Sequence, residues 1–203
     1  MGSKTNVWVF VLVIVVLPLS VFAIVQLLEN KYKTLPVLGA KGRSIIDFHL
    51  TDQNGKSIST QNWKERIVVA NFFFTHCPSI CPRMTYNLKR IQAYAGVSNL
   101  IITSFTVDPE RDSVAQLQQF AQKFDVGGNW HLVTGDKKEL YKLARKGLNI
   151  TATDGDGGPD DFIHSENLVL IDTQLRIRGY YDGTNESAIQ KLIRDIQNLA
   201  GDN

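Results

Sequence analysis

The sequence has little of what would place it in several common functional classes. Its 22 lysines and arginines are nearly balanced by 20 aspartates and glutamates, and the formal net charge is +2. This balance gives no electrostatic support for binding to nucleic acid. Internal repeats and long low-complexity tracts are absent from the sequence. With 43% hydrophobic and 21% charged residues, the chain is long enough for one globular domain and an appendage.

Cysteine is scarce, and its two copies stand close together. Cys77 and Cys81 lie in the stretch ANFFFTHCPSICPRM, and a proline follows each of them. Such a pair fits three kinds of site: a structural disulfide, a redox dithiol or a pair of metal ligands. A disulfide here would close a loop of only about five residues and would constrain the unfolded chain little. The two chemical interpretations therefore remain the stronger ones.

Charge is missing from a long stretch near the amino terminus. Residues 7–28 carry no charged side chain, and a helix of that length spans about 33 Å, enough for a hydrocarbon core of about 30 Å. We predict a transmembrane anchor over residues 1–28, with a signal peptide cleaved near Ala23 as the alternative. The positive-inside rule favours a cytoplasmic domain, because Lys4 alone precedes the span and four basic residues follow it: Lys31, Lys33, Lys41 and Arg43.

The rest of the chain divides into a tether and a domain. Residues 29–43 are polar and without a period, which predicts a tether, and the domain covers residues 44–203. Its first segment alternates around Asn54-Gly55 and predicts a β-hairpin. Strands and helices then alternate, with strands at 66–75, 100–107, 130–135, 167–172 and 176–181, and helices at 82–94, 113–124, 137–145 and 187–199. This order predicts an α/β domain with helices on both faces of a mixed sheet.

The cysteines fall where the first central strand passes into its helix, at the edge of a sheet where sites are built. A spacing of i, i+4 keeps both sulfurs on one side of the helix start. The positive end of the helix favours thiolate over thiol, so we expect two thiols of low pKa. The spacing C-x-x-x-C differs from the C-x-x-C of thioredoxins, and neither cysteine has the proline and threonine of peroxide-reducing enzymes at the required distance.

A metal site needs a third ligand, and the chain has four histidines. We expect His49, on an alternating strand, to be half-exposed and inert, and His131, beside Trp130, to serve packing. His76 adjoins Cys77, but adjacent side chains point in different directions. His164 precedes the strand NLVLID, and in a thioredoxin-like layout that loop lies over the cysteines, so His164 is the predicted ligand.

Two thiolates and one imidazole suit a soft or borderline metal. Copper(I) accepts three such ligands or fewer, whereas zinc would need a fourth ligand or a water. The sequence offers no obvious fourth ligand, because Met84 falls on the apolar face of its predicted helix and is expected to pack in the core.

Three segments resemble the Sco/SenC family of copper chaperones: FFFTHCPSICPRM, FTVDPERDS and HSENLVLIDTQLRIRGYYDG. The resemblance covers residues 44–199 and also the single N-terminal anchor. It implies a thioredoxin-like fold, here with an N-terminal β-hairpin extension, on the outer side of an energy-coupling membrane. It also implies that Cys77, Cys81 and His164 bind copper. Many members carry aspartate directly before the ligand histidine, where this chain has Ile163.

Two acidic segments have simpler interpretations. The stretch TDGDGGPDDF, with Asp160 and Asp161 near its end, lacks the carboxylate spacing of a calcium loop and is interpreted as a mobile hairpin. The segment DPERD is interpreted as a turn and helix start with a structural role, and the lesser alternative is that Asp108 supports a metal ligand.

The leading hypothesis is a membrane-anchored copper chaperone rather than an enzyme. It would deliver copper(I) or copper(II) to the copper-bearing subunit of cytochrome c oxidase, or keep that subunit's cysteines reduced. Delivery requires the domain on the outer, periplasmic side of the inner membrane, which overrules the lysine count. The alternatives are a metal-free thiol-disulfide oxidoreductase that acts through Cys77 and Cys81, and a copper-dependent redox sensor. Replacement of His164 distinguishes the chaperone from the oxidoreductase.

Overall fold

The chain forms two compact units, Met1–Leu35 and Pro36–Asn203. The computed structural model describes residues 9–33, 35–38, 45–78, 80–150 and 165–201. The first unit is helical from residue 9 to residue 33, with a π-helical stretch at Leu12–Val16 followed by helix α1, Leu17–Lys33. Within the described part of the chain, no helix combines the length and the apolar character that crossing a membrane requires.

The second unit is built on one mixed sheet. Its strands β1 to β7 are His49–Asp52, Ser57–Ser59, Ile67–Phe73, Leu100–Thr106, Trp130–Thr134, Asn167–Ile171 and Ile177–Asp182. They are ordered β2-β1-β5-β4-β3-β6-β7. Strands β3, β4 and β5 are parallel, and the remaining pairs are antiparallel. Every residue of β3 and β4 is buried, as their nearly continuous apolar runs predict.

The predicted hairpin is confirmed at the edge of this sheet. Strands β1 and β2 pair around a turn in which Gly55 has a φ of +73°, a left-handed conformation that glycine adopts without strain. The hairpin joins the sheet through β1, whose Thr51 lies opposite Thr134 of β5. Leu50 and Ile58 are buried from this hairpin, so its apolar side belongs to the core.

Helices cover both faces of the sheet, as predicted. Helices α2 to α5 are Ile80–Tyr94, Val114–Phe124, Lys137–Lys142 and Glu186–Gly201. Leu140 of α4 packs in a hydrophobic cluster that includes alternate residues of β3, among them Val68 and Phe72. The next residue, Phe73, lies on the opposite side and contacts Phe120 of α3, with ring centroids 5.3 Å apart. The alternation of β3 side chains thus supplies two cores, one for each face.

Three segments of the chain meet at the carboxyl end of β3. The loop 74–78 leads from β3 into α2, and residues 107–112 follow the parallel neighbour β4. Strand β6 runs antiparallel to β3, with Ala70 opposite Val169, so the residues that precede β6 reach the same end. This is the edge at which open α/β sheets build their sites, and both cysteines lie there.

Candidate metal centre

Cys77 and Cys81 lie on one side of the start of α2. The Cys77 amide donates to the Phe74 carbonyl at 3.3 Å and so tightens the loop after β3. The Cys81 amide donates to the Cys77 sulfur, also at 3.3 Å. Because helix α2 begins at Ile80, this contact places the Cys77 sulfur against the amide groups of its first turn. The i, i+4 arrangement predicted for the two sulfurs is therefore present.

The two cysteines differ in their access to solvent. Cys77 is half-buried, whereas Cys81 is 5% exposed. Both line a cavity of about 120 Å³ whose other walls are mainly apolar: Phe72, Phe73, Phe74, Ile80, Met84, Val107, Ser165 and Glu166. Met84 is 1% exposed, which agrees with the predicted packing role, yet its side chain also forms a wall of this cavity. The thiol of Cys77 is therefore partly accessible to solvent, whereas the thiol of Cys81 is enclosed by the mainly apolar walls of the cavity.

The expectation of a low pKa is wrong for Cys81. Burial raises the pKa of its thiol to about 12, and the hydrogen bond with Cys77 and the nearby negative charges of Cys77 and Asp112 act in the same direction. A backbone hydrogen bond involving Phe74 opposes them but is outweighed. The prediction counted the helix end, which favours the thiolate, and omitted the apolar cavity, which disfavours any charge. Binding of a metal cation would have to displace this proton.

A buried carboxylate lies behind the loop that carries Cys77. The Asp112 side chain is 0% exposed. It accepts from the Thr75 amide at 3.1 Å, from the Thr75 hydroxyl at 2.5 Å and from the Thr106 hydroxyl at 2.5 Å. Its own amide donates to the Asp108 carbonyl at 2.8 Å. Asp112 therefore ties the end of β4 to the loop between β3 and α2.

The segment DPERD forms a turn before helix α3, which begins at Val114, as predicted. Asp108 is 14% exposed and faces Arg111 across 3.6 Å, whereas the buried Asp112 was not predicted. A signal for Asp112 was available, because it follows the strand parallel to the one that ends at the cysteines. The carboxyl ends of such strands meet at one edge of the sheet.

Three histidines lie within the described residues, and they differ in exposure and in their neighbours. His49 is exposed, and its amide donates to a Glu139 carboxylate oxygen at 2.7 Å. His131 lies with its Nδ1 3.3 Å from Asp52, in a polar groove lined by Gln53 and other residues but by neither cysteine. His76 is 59% exposed and directly precedes Cys77.

The third predicted ligand, His164, lies outside the described residues, as do Ile163, Asp160 and Asp161. The residues that follow it directly in the chain, Ser165 and Glu166, line the cavity of the two cysteines. Among the residues whose placement the structure gives, no three or more histidine, cysteine, aspartate or glutamate side chains form a metal-binding group.

The donors that line the cavity fit a soft metal. Two cysteine sulfurs and the Met84 side chain are the sulfur groups present, and the surrounding walls are mainly phenylalanine and aliphatic side chains. Thiolate and thioether sulfur select copper(I) over hard cations such as magnesium and calcium. A mainly apolar cavity also limits access of water, which keeps competing oxygen ligands away from a bound ion.

The sequence and the fold of this chain are similar to those of known proteins. The family model described as SCO1/SenC matches residues 39–201. A solved SCO1/SenC family lipoprotein from Bacillus anthracis is 29% identical, with a TM-score of 0.70 over 81% of this chain and 99% of that one. The structure of BsSco, described as a member of the Sco family of cytochrome c oxidase assembly proteins with a disulfide switch, is 25% identical, with a TM-score of 0.68 over 83% and 98% of the two chains.

A third structure is that of ScoI from Bradyrhizobium japonicum with copper bound. It is 25% identical, with a TM-score of 0.60 over 75% of this chain and 99% of that chain. The predicted thioredoxin-like α/β fold is confirmed by these likenesses. Copper handling and cytochrome c oxidase assembly are the activities to which these family members are linked by their descriptions.

Proposed function

Because this chain belongs to the SCO1/SenC family, we propose that it is a membrane-anchored copper chaperone rather than an enzyme. Copper is its cargo, which the chain binds and then passes to an acceptor. The acceptor is the copper-bearing subunit of cytochrome c oxidase, which would either receive the metal or have its cysteines kept reduced. A family member of similar fold is described as a cytochrome c oxidase assembly protein, which supports this choice of partner.

The copper ligands in this proposal are Cys77, Cys81 and His164. The observation that carries it is the shared cavity: both sulfurs line it, and so do Ser165 and Glu166, the residues that follow His164. Two thiolates with one imidazole can bind copper(I), and the imidazole supplies the nitrogen that copper(II) prefers.

The copper proposal is tested by titration of the full-length chain in its reduced and oxidised states. We expect the reduced chain to bind one copper ion and the chain with a Cys77–Cys81 disulfide to bind almost none, since a disulfide offers no thiolate. Competition with a chromophoric copper(I) chelator measures both affinities. The matched control is the Cys77→Ser, Cys81→Ser double variant, which should resemble the oxidised chain under reducing conditions. Equal affinity in the two states would rule out a cysteine-based copper site.

A metal-free thiol-disulfide oxidoreductase is the second candidate, and one contact favours it. The Cys77 sulfur accepts the Cys81 amide at the start of a helix, an arrangement that stabilises a nucleophilic thiolate. The high pKa of Cys81 would keep the second thiol protonated until the Cys77 thiolate has attacked the substrate disulfide and formed a mixed disulfide. An oxidoreductase should keep its rate of disulfide reduction when His164 is replaced, whereas a copper site should lose a ligand.

We propose that residues 1–28 form a membrane anchor and that residues 29–43 form a tether. The support is the surface of the first unit, whose large apolar side chains are exposed at nearly every position from Val9 to Val25. Exposed apolar surface of this extent is unfavourable in water and favourable in a bilayer. The helical residues continue from residue 9 to residue 33 through the π-helical and α-helical stretches. A structure of similar fold is described as that of a lipoprotein, and a lipid anchor likewise binds a protein to a membrane.

We propose that the domain lies on the outer, periplasmic side of the inner membrane, where copper would be delivered. We expect a reporter fused after Asn203 that is active only outside the cytoplasm to be active in intact cells. A fusion to a variant from which residues 1–28 have been removed serves as the control and should be inactive. Labelling of Cys77 by a thiol reagent confined to the cytoplasm would contradict the proposed orientation.

A further inference from the structure

A chain of hydrogen bonds links His76 to the buried carboxylate of Asp112. The Thr75 hydroxyl lies 2.5 Å from Asp112 Oδ1 and 3.0 Å from His76 Nδ1. His76 Nδ1 is itself 4.0 Å from the same carboxylate oxygen, so the hydroxyl stands between the ring and the carboxylate. Thr106 and the Thr75 amide hold the other carboxylate oxygen, which fixes the inner end of the chain.

The direction of these hydrogen bonds follows from the chemistry of the groups. A carboxylate only accepts, so the single hydroxyl hydrogen of Thr75 is donated to Asp112. The Thr75 oxygen must then accept from the imidazole, which places a hydrogen on Nδ1 of His76. In the neutral ring this leaves the lone pair on Nε2.

This arrangement is the one that metal-binding histidines have. Such a histidine donates one ring N–H to a carboxylate or another acceptor and binds the metal through its second nitrogen. Here the acceptor is a hydroxyl that is itself polarised by a buried carboxylate. The His76 side chain remains 59% exposed and does not line the cavity of the cysteines, whereas Cys81 is 5% exposed within it. A metal held by His76 would therefore lie outside the cavity, beside the loop whose Phe74 and Cys77 line it.

We propose that His76 Nε2 is a transient copper(I) ligand through which the ion enters and leaves the Cys77–Cys81 site. The inference rests on the proposed copper function and adds a step to it. During entry, the bond from copper to Nε2 breaks as a bond from copper to the Cys77 sulfur forms, and the Cys77 thiol proton passes to solvent. A second bond then forms to the Cys81 sulfur, whose proton also passes to solvent. During exit, both sulfurs regain their protons from solvent as copper returns to Nε2, and the acceptor's thiolate then displaces Nε2. Copper stays in the +1 state throughout.

A ligand that acts only in transit has a distinctive kinetic signature. Its removal slows entry and exit by the same factor and leaves the equilibrium affinity unchanged, because it stabilises neither end state. A ligand of the resting site would instead change the affinity. We expect His76→Ala to slow both rates about tenfold or more, the order of effect seen when the supporting groups of a metal site are removed. Thr75→Val, which keeps the shape but lacks the hydroxyl, should slow both rates by a smaller factor.

The experiment uses the reduced full-length chain and copper(I) alone as the probe. Stopped-flow mixing with copper(I)–acetonitrile gives the rate of loading, and mixing of the loaded chain with excess bathocuproine disulfonate gives the rate of unloading. Equilibrium competition with the same chelator gives the affinity. Nitrogen chemical shifts of the histidine rings report whether His76 carries its hydrogen on Nδ1, and Thr75→Val should remove that preference. The matched control is His131→Ala, since His131 also lies beside a carboxylate, at 3.3 Å from Asp52, but outside the cysteine cavity.

The two rates and the copper(I) affinity of His76→Ala decide whether His76 acts as the entry ligand. Both rates reduced in His76→Ala with unchanged affinity supports the entry role, provided that His131→Ala behaves as the parent does. Unchanged rates, or a loss of affinity without matched changes in the two rates, overturns it. If the parent chain itself binds no copper(I), the proposed copper function fails, and that outcome is distinct from a parent that binds copper while His76→Ala exchanges it normally.

Discussion

Replacement of Asp112 by alanine is expected to lower the free energy of unfolding by about 3–5 kcal/mol. The change removes the common acceptor of three donors, the Thr75 amide and the hydroxyls of Thr75 and Thr106. Each buried donor that is left without a partner costs about 1–3 kcal/mol. Since domains of this size are stable by only about 5–15 kcal/mol, this loss is a large fraction of the total and should lower the urea concentration at the midpoint of unfolding strongly. Urea denaturation followed by tryptophan fluorescence measures the change, because Trp63 and Trp130 are buried.

Asp108→Ala provides the control, since it removes a carboxylate four residues earlier in the same segment. That side chain is 14% exposed, and its cationic neighbour Arg111 is 74% exposed and 3.6 Å away. A pair so exposed contributes about 1 kcal/mol or less, so Asp108→Ala should unfold at nearly the parent urea concentration. If the two variants lose equal stability, the three hydrogen bonds that Asp112 accepts do not stabilise the loop that carries Thr75.

The central elements of the domain were predictable because their signals are local. The run from Arg66 to Thr75 is too apolar for any position but the centre of a sheet, and the structure places Ile67–Phe73 there, fully buried. The Asn54-Gly55 turn likewise predicts its hairpin, because few residues other than glycine adopt the conformation found at Gly55. The strand of the sheet with which this hairpin pairs, β5, was not predictable. Its pairing with β5 joins residues about eighty positions apart, and no local pattern encodes such a contact.

The candidate site was predictable in its position and not in its electrostatics. The i, i+4 spacing of the two cysteines places both sulfurs on one side of the start of α2, as found. The pKa of Cys81 depends instead on walls contributed by β3, α2 and the residues before β6, and these raise it to about 12. Asp112 was missed for the same reason. In sequence it is one of several acids in a turn, and only a contact across 37 positions shows it to be the anchor of the Thr75 loop.

The different access of the two thiols suggests an order of events at the site. Cys77 is half-buried and adjoins the exposed His76, whereas Cys81 lies inside the cavity and has a raised pKa. In the proposed copper function, an ion that enters by way of His76 would therefore reach Cys77 before Cys81. The proton on Cys81 would leave only when the cation is close enough to offset the cost of a buried negative charge. A site with this order would keep the Cys77 thiol accessible for exchange with an acceptor.

Replacement of His164 by alanine is expected to separate the two oxidation states of copper. Copper(I) should bind the variant within about tenfold of the parent affinity, since Cys77 and Cys81 can hold it through two thiolates alone. Copper(II) prefers tetragonal sites that include nitrogen, and loss of the imidazole should weaken it by about a hundredfold or more. The absorption band for charge transfer from thiolate to copper(II) should then disappear or shift strongly. In cells the variant should fail to support assembly of cytochrome c oxidase.

Titration of the variant with each oxidation state, followed by visible absorption, measures these differences. His76→Ala is the matched control, because it removes an imidazole that directly adjoins Cys77 and is 59% exposed. As a ligand in transit only, His76 should leave the copper(II) spectrum unchanged when it is replaced. The opposite pattern, a parent-like spectrum in His164→Ala and a lost band in His76→Ala, would make His76 the resting ligand. It would also show that the segment before Ser165 does not bring its imidazole to the cavity that Ser165 and Glu166 line.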